Sequence, residues 1–213
     1  TEAHKSKKII IDNIIGAIKA LKTKPIMGVG VGTPGFVMPD GKLTCIHNVP
    51  PLMNSNLKKV LEKRIKKKVH IENDANCFAL AEHEFGAGKG TKNMIGIIIG
   101  TGIGGGLILN GKIYRGSTGA AGEIGHHIVN PDGPNYSMVL KGDLESWCSG
   151  PSIIKRYNKA EGKKRFKNPS ELLKSKDRLA RKIAKETYKY LGIGIGNLVN
   201  ILNPELIVLG GGV

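Results

Sequence analysis

Gly100-Thr101-Gly102-Ile103-Gly104-Gly105-Gly106 lies between two apolar runs, Met94-Ile95-Gly96-Ile97-Ile98-Ile99 before it and Leu107-Ile108-Leu109 after it. The runs predict β-strands. The glycines between them predict a turn whose backbone N–H groups converge on one anion, because no Cβ stands in the way. Thr101 adds a hydroxyl. Asn110-Gly111 then favours a two-residue type I′ turn into Lys112-Ile113-Tyr114, so three consecutive antiparallel strands are expected. A dinucleotide fingerprint or a Walker loop needs a strand followed by a helix, and neither that order nor a Gly-Lys-Ser/Thr ending occurs here. The residues alone leave a second reading open, in which the glycines only let two strands approach.

A length of 213 residues suffices for one large domain or two small lobes. No apolar run is long enough to span a bilayer and the N-terminus lacks a signal-peptide core, so no membrane partner and a cytoplasmic location are expected. Cys45, Cys77 and Cys148 are odd in number and far apart, which argues for reduced thiols over a disulfide framework or a C-x-x-C metal pair. The 33 Lys and Arg against 17 Asp and Glu give a net charge of +16, which suits a polyanion such as ATP as readily as nucleic acid. The lysines are spread along helical segments with few aromatics between them. A solvated surface is the favoured reading, and nucleic-acid binding is not expected.

The order of elements alternates. Residues 8–21 carry Ile11, Ile14, Ile15, Ile18 and Leu21 on one helical face, and residues 26–31 read as a buried strand. Pro39-Asp40-Gly41-Lys42 predicts a hairpin turn between residues 36–38 and 43–46. Asn48 follows in a loop closed by Pro50 and Pro51. After a helix over residues 57–66, a short strand at residues 69–71 meets Glu72-Asn73-Asp74-Ala75-Asn76, so Asp74 stands at a strand-to-helix junction. Leu179, Ile183, Thr187, Leu191, Ile195, Leu198, Val199 and Leu202 form one long helical stripe. Gly192, Gly194 and Gly196 inside it each cost about 1 kcal/mol against Ala, which suggests close approach by another segment or a ligand. Residues 206–209 read as a strand, and Gly210-Gly211-Gly212 as a second glycine turn.

Taken in order, these signals resemble the ROK family of sugar kinases and related repressors. The matching stretches are Gly28 through Gly35, Glu72 through Asn76, Gly100 through Gly106, Gly122-Glu123-Ile124-Gly125-His126, Leu144 through Gly150, and Asn203-Pro204 through Gly212. The resemblance implies an α/β actin-like, hexokinase-like ATPase fold, with two lobes and the ligands in the cleft between them. It divides the chain into a partial N-terminal lobe at residues 1–68 and a C-terminal lobe at residues 69–213.

Phosphoryl transfer to a hydroxyl needs a proton acceptor together with positioning and neutralisation of phosphate charge. Asp74 could be that base or could cap the helix that follows, Asp being a preferred cap. The resemblance implies the base, with Asn73 hydrogen-bonding the sugar. It also implies that Glu123, His126 and Glu145 hold the ring, with Gly35 and Asn48 near it. Carboxylates accept bonds from sugar hydroxyls, and imidazole can accept one and donate another. His127 is read as structural. Thr101, Gly102, Gly104, Gly210, Gly211 and Gly212 are expected on the ATP phosphates, with Mg²⁺ carried in by ATP.

Two departures from the family stand out. Many members hold a structural zinc with a C-x-C-G-x-x-G-C segment and the histidine of Gly-Glu-x-Gly-His. Here Tyr136, Met138 and Asp143 align with cysteines, so a four-ligand zinc is not expected and no metal site is assigned. Members also begin with a strand and an Asp-x-Gly-Gly-Thr turn and continue past the last glycine turn, so segments before Thr1 and after Val213 are implied. The expected function is ATP-dependent phosphorylation of a hexose primary hydroxyl, glucose to glucose 6-phosphate. An N-acetylglucosamine or N-acetylmannosamine kinase, a sugar-sensing repressor core and an inactive relative are the alternatives. A homodimer is implied by the relatives alone.

Overall fold

The computed structural model describes residues 2–21, 26–46, 48–137, 139–162 and 164–213. Helix α1 (Lys7–Ala20) starts where Ser6 accepts a hydrogen bond from the Ile9 N–H, and it buries Ile10, Ile11 and Ile15. Strand β1 (Gly28–Thr33) is less buried than its sequence suggests. Its valines are half-buried while Gly28, Gly30 and Gly32 are exposed, so only one face meets the core. The predicted hairpin forms between β2 (Phe36–Val37) and β3 (Leu43–Thr44), followed by a 3₁₀ turn at Pro50–Leu52. Helix α2 (Leu57–Ile65), capped by the Asn56 side chain, buries Leu57 and Leu61 and leads into β4 (Lys68–Asn73). Strands β1 and β4 pair in parallel over six residues, from Gly28 opposite Lys68 to Thr33 opposite Asn73. Ile10, Leu43, Ile46, Leu61 and Val69 form the core of this part.

Helix α3 (Asp74–Phe85) follows β4 directly. The chain then builds the sheet expected from the glycine stretch. Strand β5 (Met94–Ile99) turns into β6 (Ile103–Leu109), and β6 turns through Asn110 (φ 52°) and Gly111 (φ 71°) into β7 (Lys112–Tyr114). Those positive φ values are the type I′ turn that Asn-Gly favours. Both pairings are antiparallel.

Three helices were not legible beforehand: α4 (Leu144–Cys148), α5 (Gly150–Glu161) and α6 (Pro169–Lys174). The long stripe is α7 (Arg178–Leu202), which Asn203 ends in the left-handed conformation. Strand β8 (Leu206–Gly211) adds in parallel to β5, giving the order β7-β6-β5-β8. Gly210 and Gly211 therefore belong to the strand rather than to a turn. They pair with Ile98 and Ile99, and a Cβ at Gly211 (φ 118°) would strike the Ile99 carbonyl. Of the three glycines inside α7, only Gly194 is closely approached, since a Cβ there would lie 3.0 Å from the Leu144 side chain. Gly192 and Gly196 face open space.

These elements form two compact units. One is Thr1–Cys77 with Arg115–Ala121; the other is Phe78–Tyr114 with Gly122–Val213. The first unit keeps β4, whereas the division expected from sequence falls after residue 68, because β4 pairs with β1 along its whole length. Among the described residues, no helix is long and apolar enough to cross a membrane. Cys45, Cys77 and Cys148 are free.

Candidate active site

In the first unit, the end of β4 and the start of α3 make one hydrogen-bonded corner. Asn73 Oδ1 accepts from the Asn76 N–H at 3.1 Å, so Asn73 supplies the helix cap. Asp74 is spared that task. One of its oxygens accepts from the neighbouring Ala75 N–H at 2.9 Å, and the exposed side chain makes no other hydrogen bond among the described residues. Asn73 Nδ2 donates to the Gly35 carbonyl at 3.1 Å, which fixes the carboxamide. Gly35 has φ 81°, and a Cβ there would lie 2.8 Å from the Thr44 carbonyl, so only glycine lets the chain pass. Asn48 lies exposed in the turn before Pro50 and makes no hydrogen bond among the described residues.

In the second unit, Glu123, His126 and Glu145 come from a 3₁₀ turn (Ile124–His126) and the first turn of α4. His126 Nε2 lies 3.8 Å from a Glu123 oxygen. His126 Nδ1 meets Asp143 Oδ2 at 3.2 Å, and the other Asp143 oxygen caps α4 by accepting from the Ser146 N–H at 2.8 Å. Asp143 is fully buried, with both oxygens committed. Tyr136 and Met138 are the other two positions that the resemblance sets against zinc cysteines. Tyr136 offers a phenol, Met138 lies outside the described residues, and no cluster of three His, Cys, Asp or Glu able to hold a metal occurs among the described residues. Asp143 fixes the orientation of the His126 ring through Nδ1.

Glu145 reaches the glycine stretch at residues 100–106. Its Oε2 accepts from the Ile103 N–H at 2.8 Å, and a Cβ at Gly102 would lie 2.6 Å from the same oxygen. Burial pushes the Glu145 carboxyl above the usual carboxylate range; the Ile103 N–H and the His126 charge oppose this, and Asp143 adds to it. The folded chain thus holds this proton more tightly than the unfolded chain. The associated stability is full below the unfolded carboxylate value and is lost as pH rises through the raised folded value. Glu145→Gln removes that loss and keeps an acceptor for Ile103. Thermal melts should therefore show the Tm of the variant gaining on wild type as pH rises through this window. A difference that stays flat or shrinks would contradict the assignment.

Beside the turn lies a cavity of about 630 Å³, lined by Gly100, Thr101, Gly150, Pro151, Lys155, Lys167 and Gly212 among others. That size suits a nucleotide, and a lining of glycine backbone and two lysines suits phosphate charge, with Lys155 Nζ 5.7 Å from the Tyr136 ring centroid. Thr101 and Gly212 are thus at the cavity. Gly102 instead faces Glu145, Gly104 pairs with Ile98 inside β6, and Gly210 and Gly211 line a neighbouring cavity with Cys148 and Thr187. Burial pushes the Cys148 thiol up to about 12, so it is a packing group there. Gly150, Lys155 and Lys167 were missed from sequence. Ser149-Gly150-Pro151 was the available signal, because Pro favours the first turn of a helix.

Compared with known proteins, the chain matches the family described as ROK over residues 1–213. It is 34% identical over 205 residues to a glucokinase of Thermotoga maritima, covering 87% of this chain and 63% of that protein. It is 35% identical to an N-acetyl-D-glucosamine kinase of Histophilus somni (86% and 64% covered) and 32% identical to the xylose repressor of Bacillus subtilis (96% and 53%). The crystal structure of a ROK hexokinase from Thermus thermophilus superimposes with a TM-score of 0.87 at 30% identity, covering 98% of this chain and 71% of that one. The chain thus spans between about half and two thirds of the length of these three curated relatives.

Proposed function

This chain belongs to the ROK family and has the actin-like ATPase fold of its sugar kinases, and we propose that its protein is an ATP-dependent hexose kinase with Asp74 as general base. The observation that carries the proposal is the corner at Asn73 and Asp74. The capping acceptor is Asn73, so the Asp74 carboxylate keeps an oxygen free of the helix and exposed to a ligand. Asp74 accepts the proton of the sugar primary hydroxyl as the hydroxyl oxygen attacks the γ-phosphorus of ATP, whose bond to the β,γ-bridging oxygen breaks to release ADP. Asn73, Asn48, Glu123, His126 and Glu145 bind the sugar, Gly35 keeps Asn73 in place, and Thr101 and Gly212 meet the phosphates with Lys155 and Lys167. ATP supplies the phosphoryl group and brings Mg²⁺ with it.

Glucose is the proposed substrate, with N-acetylglucosamine and N-acetylmannosamine next. The deciding experiment measures ATP consumption by the purified full-length protein against the three sugars, with Asp74→Asn as control. Turnover on one sugar that vanishes in the variant supports the reading. Sugar binding without turnover would favour a sugar sensor, a reading to which the xylose repressor among the relatives gives weight.

A further inference from the structure

Glu72 stands two residues before Asp74, and both of its carboxylate oxygens are filled. Oε1 accepts from the Asn73 main-chain N–H and from Asn76 Nδ2, each at 3.0 Å. Oε2 accepts from Arg115 Nε at 2.8 Å and from Arg115 Nη2 at 2.6 Å. The side chain of Glu72 is 15% exposed and that of Arg115 is 49% exposed, so the carboxylate is largely enclosed while the guanidinium closes it from outside. Asn76 is 2% exposed, and its own N–H is the one that Asn73 Oδ1 caps. Glu72, Asn73 and Asn76 therefore form a closed ring of hydrogen bonds around the first turn of α3, and Asp74 is the first residue of that helix.

Arg115 arrives from 43 residues further along the chain. It opens the segment Arg115–Ala121, which packs in the same unit and is closed by the Ala121 N–H on the Arg115 carbonyl at 3.2 Å. Glu123, one of the proposed sugar ligands, follows two residues later. Charge-assisted bonds of this kind are the strong ones, and a mostly buried polar network is costly when only part of it is satisfied. Nothing about capping α3 requires a salt bridge at this place, because Asn73 already caps it.

We propose that Glu72 and Arg115 are a positioning pair for the reaction. Arg115 holds the Glu72 carboxylate, and Glu72 fixes Asn73 and Asn76, so that the Asn73 carboxamide and the Asp74 carboxylate are presented together. Neither member touches substrate. The inference rests on the kinase reading of Asp74.

The test is steady-state kinetics and sugar-binding calorimetry on the full-length protein, with glucose and N-acetylglucosamine as probes. The variants are Glu72→Gln, Arg115→Gln, the double variant and Arg115→Lys. Each Gln single should raise the sugar KM and lower kcat, each by roughly tenfold, the scale expected of a sub-ångström misplacement, and should leave the ATP KM unchanged. The double variant should be no worse than the poorer single, because the two act as a unit. Arg115→Lys should recover part of the loss. Weaker folding alone would lower apparent kcat and leave the sugar KM where it was, and that result overturns the proposal. An ATP KM rising in step with the sugar KM, or losses that multiply in the double variant, also overturn it. If wild type binds sugar but does not turn over, the kinase reading fails. The pair is then judged on the sugar Kd, which Glu72→Gln should still weaken roughly tenfold if Asn73 depends on it.

Discussion

Replacing Asp74 by Asn should lower kcat by about a hundred- to ten-thousand-fold, the usual span for loss of a general base, while the affinity for sugar stays within about twofold of wild type. Asn matches Asp in shape and can still accept from the Ala75 N–H, so the first turn of α3 is kept. The cap is untouched as well, because Asn73 provides it. What disappears is the carboxylate able to take the hydroxyl proton. Sugar affinity should survive, since the proposed ring contacts come from Asn73, Asn48, Glu123, His126 and Glu145. Full turnover in the variant would remove Asp74 from the mechanism. A drop in Tm of several degrees together with a proportionate loss of sugar binding would make Asp74 a structural residue instead.

The largest effect on stability is expected at Arg156, which packs between helices of the second unit. Its guanidinium is 7% exposed and donates to the Trp147 carbonyl at 2.7 Å, to Thr187 Oγ1 at 3.0 Å and to Glu186 at 2.5 Å, while stacking 4.7 Å from the Trp147 ring. One side chain thus joins α4, α5 and α7. Arg156→Ala would take the side-chain donor from the Trp147 carbonyl and leave Thr187 Oγ1 with only its own bond to the Ile183 carbonyl, while Glu186, 35% exposed, loses its ion pair. Losing the several hydrogen bonds made by this buried charged donor costs on the order of 3 kcal/mol. For a chain of this size that lowers Tm by roughly 10 °C. Chemical denaturation of wild type, Arg156→Ala and Arg156→Lys gives the check, with Lys expected in between because it keeps the charge and loses the planar fork. A loss below about 1 kcal/mol in the Ala variant would mean that neighbouring groups or water replace the guanidinium.

Legibility followed the range of the interactions. The β5-β6-β7 meander could be read because its turn is written in two adjacent residues, Asn110 and Gly111, and its strands in unbroken apolar runs. Helix α7 was legible from its stripe. By contrast, α4 has five residues, too few for a period to appear, and its cap is Asp143, whose place in the motif had suggested only a substituted cysteine. Ring and base candidates could be named from ordered motifs, yet their partners could not. Glu145 meets Ile103 from 42 residues away, and Arg115 reaches Glu72 from 43. Gly210 and Gly211 misled for a related reason: glycine triplets usually mark turns, and here two of the three are needed inside a strand, where the Phe78 ring and the Ile99 carbonyl leave no room for a Cβ.

Asp143 decides which atoms the corner around His126 depends on. A corner pinned by thiolates depends on sulfur staying reduced and on a supply of metal, and it gives way to chelators and peroxide. The corner around His126 is pinned instead by an oxygen donor that is fully buried and already bound to a helix and an imidazole. The aim of the His126 ring therefore rests on hydrogen-bonded carboxylate oxygens rather than on sulfur.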